Sequence, residues 1–500
     1  MNNDSQQDYK QDTNNDLGLE RKPRQNASRS YNSLIILSGM LCITMALIFN
    51  GWMVWQQQQV VQGSESLTVD RVMQKFDEAE LATFHQVYQL LKQNYVTELD
   101  TSVLVQGAIE GMVTALDDPR SHYFNADQMV LQTDRSSGSY AGIGSTVQSV
   151  DGLVTLISIY EDSPAERAGL KNGDQLLAID GVDAKGMLLD DAVARVKGLP
   201  GTIVSLRIQR PGVAEAFDVE VTRAVVETIS VDSKMLEDGV GVIEISNFTN
   251  TTGSQFKKEL NALLQQGMEG LIIDLRNNGG GTLTGLMDVA NLVVPEGVIF
   301  TWVYRGDEKE HMYSNLKERD FEVVALINGY SASASEVLAG AIQDSSSGVL
   351  VGTRSFGKGS AQNTYSLINQ GGIALTSSKW LTPSGKHIEG QGLEPDVKII
   401  DPYDPLIIEK DQPLKPAQIE LLHAKLQALG YDVSLDNIIT DESVAAIKQF
   451  QSDSLIYISG ALSDDTVMVL NLRCYDEIPH DNDPQMEEAI KQVQQLIRKP

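Results

Sequence analysis

Residues 34–55, LIILSGMLCITMALIFNGWMVW, carry no charged side chain over a length sufficient to cross a bilayer core as a helix. A run of that kind is unsuited to the surface of a water-soluble fold, and it predicts a membrane anchor. Arg21, Lys22, Arg24 and Arg29 precede it, and the next basic residue is Arg71, which predicts a cytoplasmic N-terminus and an extracytoplasmic remainder. A cleaved signal peptide is the alternative, but QQQQVVQ follows where a small-residue cleavage site belongs. Residues 1–33, rich in Asn, Gln, Asp and Ser, read as a disordered cytoplasmic tail.

The chain of 500 residues is too long for one core, so several domains are expected. A formal charge of -29 argues against a phosphate backbone as partner, and nucleic acid is not expected. Cys42 and Cys474 are the only cysteines, and the six histidines are scattered singly, so neither a disulfide framework nor a metal site is predicted. Residues 65–135 show helical spacing, and residues 136–224 switch to short β-type runs punctuated by glycine. Residues 225–401 alternate strand and helix patterns, as a layered α/β core does. Four prolines mark residues 402–416 as a linker, and residues 417–475 read as a small all-helical module in which Ser463 is an N-cap. Residues 476–500 read as a C-terminal tail, within which 485–498 has a polar amphipathic helix pattern with no function attached. The fold class is therefore multidomain α/β, with one N-terminal transmembrane helix and a small all-α domain at the end.

GTRSFGKGS, residues 352–360, nearly spells a phosphate loop, but Gly359 stands where Ser or Thr must hold magnesium. No nucleotide or other cofactor is expected. NGYSASASEVLAG, residues 328–340, offers different chemistry. Val323 to Ile327 reads as a buried strand and Ser335 to Gln343 as a helix, which puts Ser331, Ser333 and Ser335 at a strand-to-helix turn. Such a turn exposes a hydroxyl beside free helix N-terminal amides, the physics of a nucleophile elbow. The alternative is that these serines only cap the helix. With no histidine in the segment, the nearby candidate base is Lys358, provided burial among Phe356 and apolar strands depresses its pKa.

ALINGYSASASEVLAGAIQD followed by GTRSFGKGSAQ resembles the nucleophile and lysine segments of the carboxyl-terminal processing peptidases, a Ser/Lys protease family. The resemblance implies Ser333 as nucleophile, Lys358 as base, Gln362 as the residue that orients the amine, and Asp344 as a supporting residue. GLIIDLRNNGGG resembles the family's oxyanion strand and loop, with Gly279 where the family has proline; it implies Gly280 and Ala334 as the two oxyanion donors. GAIEGMVTALDDPRSHYF and WLTPSGKHIEGQGLEPDV resemble further family segments, so the likeness covers most of the chain.

Residues 136–224 are similar to a PDZ domain, with YAGIG as its carboxylate-binding loop. That likeness implies capture of a peptide C-terminus by the amides of Gly142, Ile143 and Gly144. Residues 417–475 are similar to a small helical peptidoglycan-binding domain. The expected partners are proteins or peptides with exposed C-termini and the membrane, with peptidoglycan and an adaptor protein as further candidates. The expected activity is that of a membrane-anchored serine endopeptidase working outside the cytoplasm; the rival reading is a catalytically inactive, wall-tethered PDZ scaffold.

Overall fold

A computed structural model describes residues 77–408, 413–478 and 483–498. The expected anchor at 34–55 lies outside them. Among the described residues no helix is long and apolar enough to cross a membrane. The chain divides into a first unit ending at Leu104 and a second, Val105–Pro500. In the first, the helix Glu78–Asn94 is capped by Asp77, whose carboxylate accepts from Ala79 N at 3.2 Å. Its apolar side chains Phe84, Val87 and Leu90 are exposed.

The second unit is organised around a six-stranded sheet in the order Val231–Met235, Val240–Ile245, Gly270–Asp274, Glu322–Ile327, Val349–Gly352 and Val397–Lys398. The first pair is antiparallel and every later pair parallel. Strands of this kind must be apolar on both faces, because helices cover both. Val323, Ala325 and Ile327 point to one layer, packed with the helices Thr252–Gln265, Leu283–Val293 and Ala334–Asp344. Val324 and Leu326 point to the other, where they join Val242, Ile272 and Val351 against Ala489 and Val493.

Those last two residues belong to the helix Pro484–Ile497, so the segment read as a tail is the cover of the sheet's second face. Its approach is close: a Cβ on Gly270 would lie 2.5 Å from Val493 Cγ2. The 402–416 linker also departs from expectation. Leu406 is buried in the module's core, Asp404 is 4% exposed, and Lys425 Nζ donates to Pro402 O at 2.7 Å. Proline density marked a loop correctly, but that loop is packed.

The module itself comprises helices Pro416–Ala428, Asp441–Asp453 and Asp464–Glu477 around Leu422, Phe450, Leu470 and Cys474. Ser463 caps the third, accepting from Thr466 N at 3.2 Å, as the sequence predicts. The β-rich module is a separate antiparallel sheet spanning residues 145–222, with the helix Leu189–Val196 over its core of Val154, Leu156, Leu176 and Leu206. The chain enters it along Ser139–Gly142 and leaves along Ala224–Glu227, two strands paired antiparallel. A further five-stranded sheet contains His122–Phe124, Gly297–Tyr304, Lys309–Ser314, Ser360–Ser366 and Gly372–Leu381.

Candidate active site

Ser333 occupies the turn between the strand Glu322–Ile327 and the helix Ala334–Asp344, with φ 55° and ψ -114°. A β-carbon residue in that region is strained and persists only when its surroundings dictate it. Here the flanking serines do so. Ser331 Oγ donates to Leu275 O at 2.8 Å and accepts from Asn328 N at 2.9 Å, while Ser335 Oγ donates to Asn278 O at 2.9 Å. Ala332 N also donates to Asn278 O, at 3.0 Å. Both outer hydroxyls are thus committed to the Leu275–Asn278 segment that leads into the glycine loop, and both serines are buried, whereas Ser333 is partly exposed. The amide of Ala334 opens an eleven-residue helix and has no acceptor among the described residues.

Gly280 lies directly against this turn. A Cβ there would meet Ala332 O and Ser333 Cβ at 2.8 Å and Ala334 N at 3.0 Å, and its φ of 104° suits glycine alone. Its own amide, assigned from the family resemblance as the second oxyanion donor, donates instead to Asn278 Oδ1 at 2.9 Å. Asn278 is fully buried and is itself anchored by Nδ2 to Ile245 O at 2.7 Å.

Glu336 joins the serine turn to the lysine segment. Its carboxylate is 0% exposed and takes four donors: Ser355 Oγ (2.6 Å) and Gly357 N (2.7 Å) on Oε1, Lys358 N (2.8 Å) and Ser333 N (2.8 Å) on Oε2. Burial pushes its pKa up, and these donors oppose that shift. Ser355 Oγ already accepts from Leu393 N at 2.7 Å, so its proton goes to the carboxylate. Glu336 was not singled out from sequence. Its signal was visible, since a glutamate three residues after a serine at a helix start is a capping-box pattern.

Lys358 has a pKa below the ordinary lysine range, first through burial and then through the Arg120 guanidinium; Glu389 and Glu336 act the other way. Phe356, expected to provide the burial, is 47% exposed. Arg120, also missed from sequence, donates to Ser360 Oγ and Glu389 Oε1, both at 2.6 Å. Among the described residues Lys358 Nζ is hydrogen-bonded neither to Ser333 Oγ nor to Gln362. The Gln362 amide turns to Thr376 Oγ1 at 3.1 Å and Ser360 Oγ at 3.4 Å, so the expected orienting contact is not formed in this conformation. Catalytic hydrogen bonds commonly tighten only when substrate is bound.

Asp344 ends the Ser333 helix, about 15 Å from its start at 1.5 Å per residue. It supports the Thr382–Lys386 turn, accepting from Ser384 N at 2.9 Å with Lys386 Nζ at 3.5 Å, and does not reach the serine. Burial pushes its carboxyl up, but hydrogen bonds from Ser384 and Thr382, with Lys386, outweigh this and hold it below the usual range. Beside the lysine segment a cleft of about 570 Å³ is bordered by Arg120, Ser355, Phe356, Glu389, Lys398 and Glu420.

In the β-rich module, Gly142 ends the entry strand opposite Ala224, Ile143 is 2% exposed, and Gly144 has φ 80°. Gly142 and Ile143 face a cavity of about 80 Å³ with Ala192, Val196 and Lys197 across it. Tyr140 leans into the same cavity, its ring packed on Gly142. Burial first, and then Tyr160, pushes its phenol up to about 12, while the amides of Ser145 and Gly144 pull the other way. Among the described residues no group of His, Cys, Asp and Glu is arranged to hold a metal.

Residues 239–399 match the family described as Peptidase family S41, residues 156–210 match PDZ domain, and residues 41–128 match Activating protease CtpB N-terminal domain. The chain is similar to the Carboxy-terminal processing protease CtpA of Bacillus subtilis, 34% identical over 426 residues, 83% of this chain and 90% of the relative. It is also similar to CtpB of the same organism, 31% identical over 85% of this chain and 89% of the relative. A Probable CtpA-like serine protease of Staphylococcus epidermidis is 34% identical over 78% of this chain and 81% of its own length. Among solved structures, the photosystem II D1 C-terminal processing protease aligns with 63% of this chain and 86% of its own at 27% identity and TM-score 0.38.

Proposed function

Since the chain belongs to peptidase family S41, the carboxy-terminal processing serine proteases, we propose that Ser333 is its nucleophile and Lys358 its general base, in a protease anchored in the cell membrane with its catalytic domains outside. The observation that carries this reading is the strained backbone of Ser333 at a helix N-terminus, with both neighbouring serine hydroxyls already engaged.

Neutral Lys358 takes the Ser333 hydroxyl proton as Oγ bonds to the peptide carbonyl carbon. The carbonyl oxygen gathers negative charge beside the free Ala334 amide. The C–N bond then breaks, the leaving amine takes the proton from the Lys358 ammonium, and water hydrolyses the acyl-enzyme by the same base. For this, Lys358 Nζ has to turn towards Ser333, and Gln362 has to leave Thr376 if it is to hold the amine. Gly280 becomes the second oxyanion donor only by releasing Asn278.

A PDZ domain binds peptides, and the amides at Gly142, Ile143 and Gly144 are the proposed seat of the substrate carboxylate. Residues 34–55 are the proposed anchor. The helical module at 417–475 is a candidate contact to peptidoglycan, on sequence resemblance alone, and an adaptor protein is a further candidate partner. The direct test is cleavage, by the full-length protein in detergent, of an unstructured polypeptide with a free apolar C-terminus. Cleavage that survives both Ser333→Ala and Lys358→Ala would sink the assignment.

A further inference from the structure

Gln485 is fully buried, although it stands in the first turn of the last helix, in a segment whose sequence reads as polar surface. A buried side-chain amide needs partners at both ends. Its Oε1 accepts from Arg276 Nη1 at 3.3 Å, and its Nε2 donates to Asp404 Oδ2 at 2.9 Å and Ile399 O at 3.0 Å. The capping residue of the same helix, Asp483, takes both Arg276 terminal nitrogens, at 2.9 and 2.8 Å. Arg276 is the residue before Asn277, where the glycine loop begins its turn with φ 61°.

Asp404 carries the second arm. Its Oδ1 accepts from Asn328 Nδ2 at 2.9 Å, and its Oδ2 also accepts from Thr353 Oγ1 at 2.8 Å. Asn328, 1% exposed, directly follows the strand that leads to Ser333, and its side chain exchanges two 3.0 Å hydrogen bonds with Asn277. Both arms therefore run from one glutamine to the same loop, the one that lies against Ser333 and Ala334.

We infer that Gln485 and Asp483 are positioning residues of the protease, through which the C-terminal helix sets the glycine loop beside the Ser333 turn. The inference rests on the proposed Ser333 chemistry and extends the catalytic domain past residue 401 to the last helix. Neither residue touches substrate. Asp483 acts through Arg276, and Gln485 through Arg276 and, by way of Asp404, Asn328; the Gln485–Asp404 and Asp404–Asn328 hydrogen bonds are buried and correspondingly costly to leave unmade.

The test uses the full-length protein with Gln485→Leu, which removes both arms at similar volume, and Asp483→Ala, which removes the half-exposed partner of Arg276. Steady-state cleavage, thermal melting and the rate of Ser333 labelling by a fluorophosphonate are measured for each. The expected result is kcat lowered on the order of tenfold or more, peptide KM within about twofold, and slower labelling in protein that remains folded. Folded variants with wild-type kcat and labelling rate would overturn the inference, as would losses that only track the unfolded fraction. If Gln485→Leu fails to fold, Asp483→Ala decides between these outcomes. A wild-type protein that neither cleaves the peptide nor takes the probe at Ser333 would instead remove the proposed Ser333 chemistry, and the inference with it.

Discussion

The backbone amides of Ser333 and Lys358 donate to one and the same carboxylate oxygen, Glu336 Oε2, each at 2.8 Å. Their nitrogens can therefore be no further apart than twice that distance, although the lysine amine and serine hydroxyl are not hydrogen-bonded to each other. The backbone positions of the proposed dyad are thus tied to one carboxylate, while its side chains are not joined to each other in this conformation.

Glu336→Gln should therefore damage catalysis without touching either reacting group. An amide nitrogen in place of one oxygen would face donors with a donor. Hydrogen bonds to a charged acceptor contribute roughly 1.5–3 kcal/mol each, so a loss of about 2–3 kcal/mol is expected in denaturant unfolding. A fall in kcat/KM on the order of 100-fold should accompany it. Wild-type turnover in the variant would show that the shared oxygen does not set the site.

The depressed pKa of Lys358 fixes the direction of two pH responses. The proposed mechanism requires the neutral amine, so activity should rise with pH through a midpoint below the ordinary lysine value of about 10.4. The unfolded chain holds the Lys358 proton to higher pH than the folded one, so this group makes stability increase with pH between the two pKa values. Below the folded value the buried charge is a standing cost. Lys358→Met should abolish cleavage, raise the unfolding midpoint near neutral pH and remove that slope; a destabilised variant there would contradict the burial argument.

Gly280→Ala should inactivate the protein. The new methyl would press on Ala332 O and Ser333 Cβ at 2.8 Å, and φ 104° is strained for any other residue, at about 1–3 kcal/mol. Peptide cleavage and differential scanning calorimetry should both report the loss. An alanine variant with normal turnover would mean that the glycine loop is not held against the nucleophile.

Amidating the peptide C-terminus should weaken capture by the Gly142–Gly144 loop. Loss of hydrogen bonds to a charged carboxylate, at roughly 1.5–3 kcal/mol, corresponds to about 10- to 100-fold in Kd by calorimetric titration. Equal affinity for the acid and the amide would remove the loop from recognition.

The strand-to-helix turn that carries Ser333 was legible because strand, punctuation and helix follow one another without interruption. Val323 to Ile327 is apolar on both faces, and Asn328, Gly329 and alternating serines lead into a helix starting at Ala334. The family resemblance then distinguished Ser333 from its neighbours. What hid the remainder was distance in sequence. Gln485 reads as surface because glutamine is usually exposed, and its partners lie 81 and 209 positions away. The apolar spacing of Met486, Ala489, Ile490, Val493 and Ile497 did announce a face in need of cover, but not which surface it would cover. Likewise the prolines near 402–416 gave no hint that Asp404 is satisfied by three distant side chains. Gly280 could be placed beside the nucleophile by analogy, whereas the capture of its amide by Asn278 is a side-chain rotamer outcome that no spacing encodes.

The match to the peptidase family ends at residue 399, but the sheet it describes is not closed there. Without the helix Pro484–Ile497 and its cap, Val242, Ile272, Val324, Leu326 and Val351 would form a bare apolar surface, and Arg276 would lack Asp483. A chain cut before Asp483 would therefore keep Ser333, Lys358 and Gln362 and yet lose the roof of its own sheet: possession of the reactive residues and possession of a finished domain are separable in this sequence.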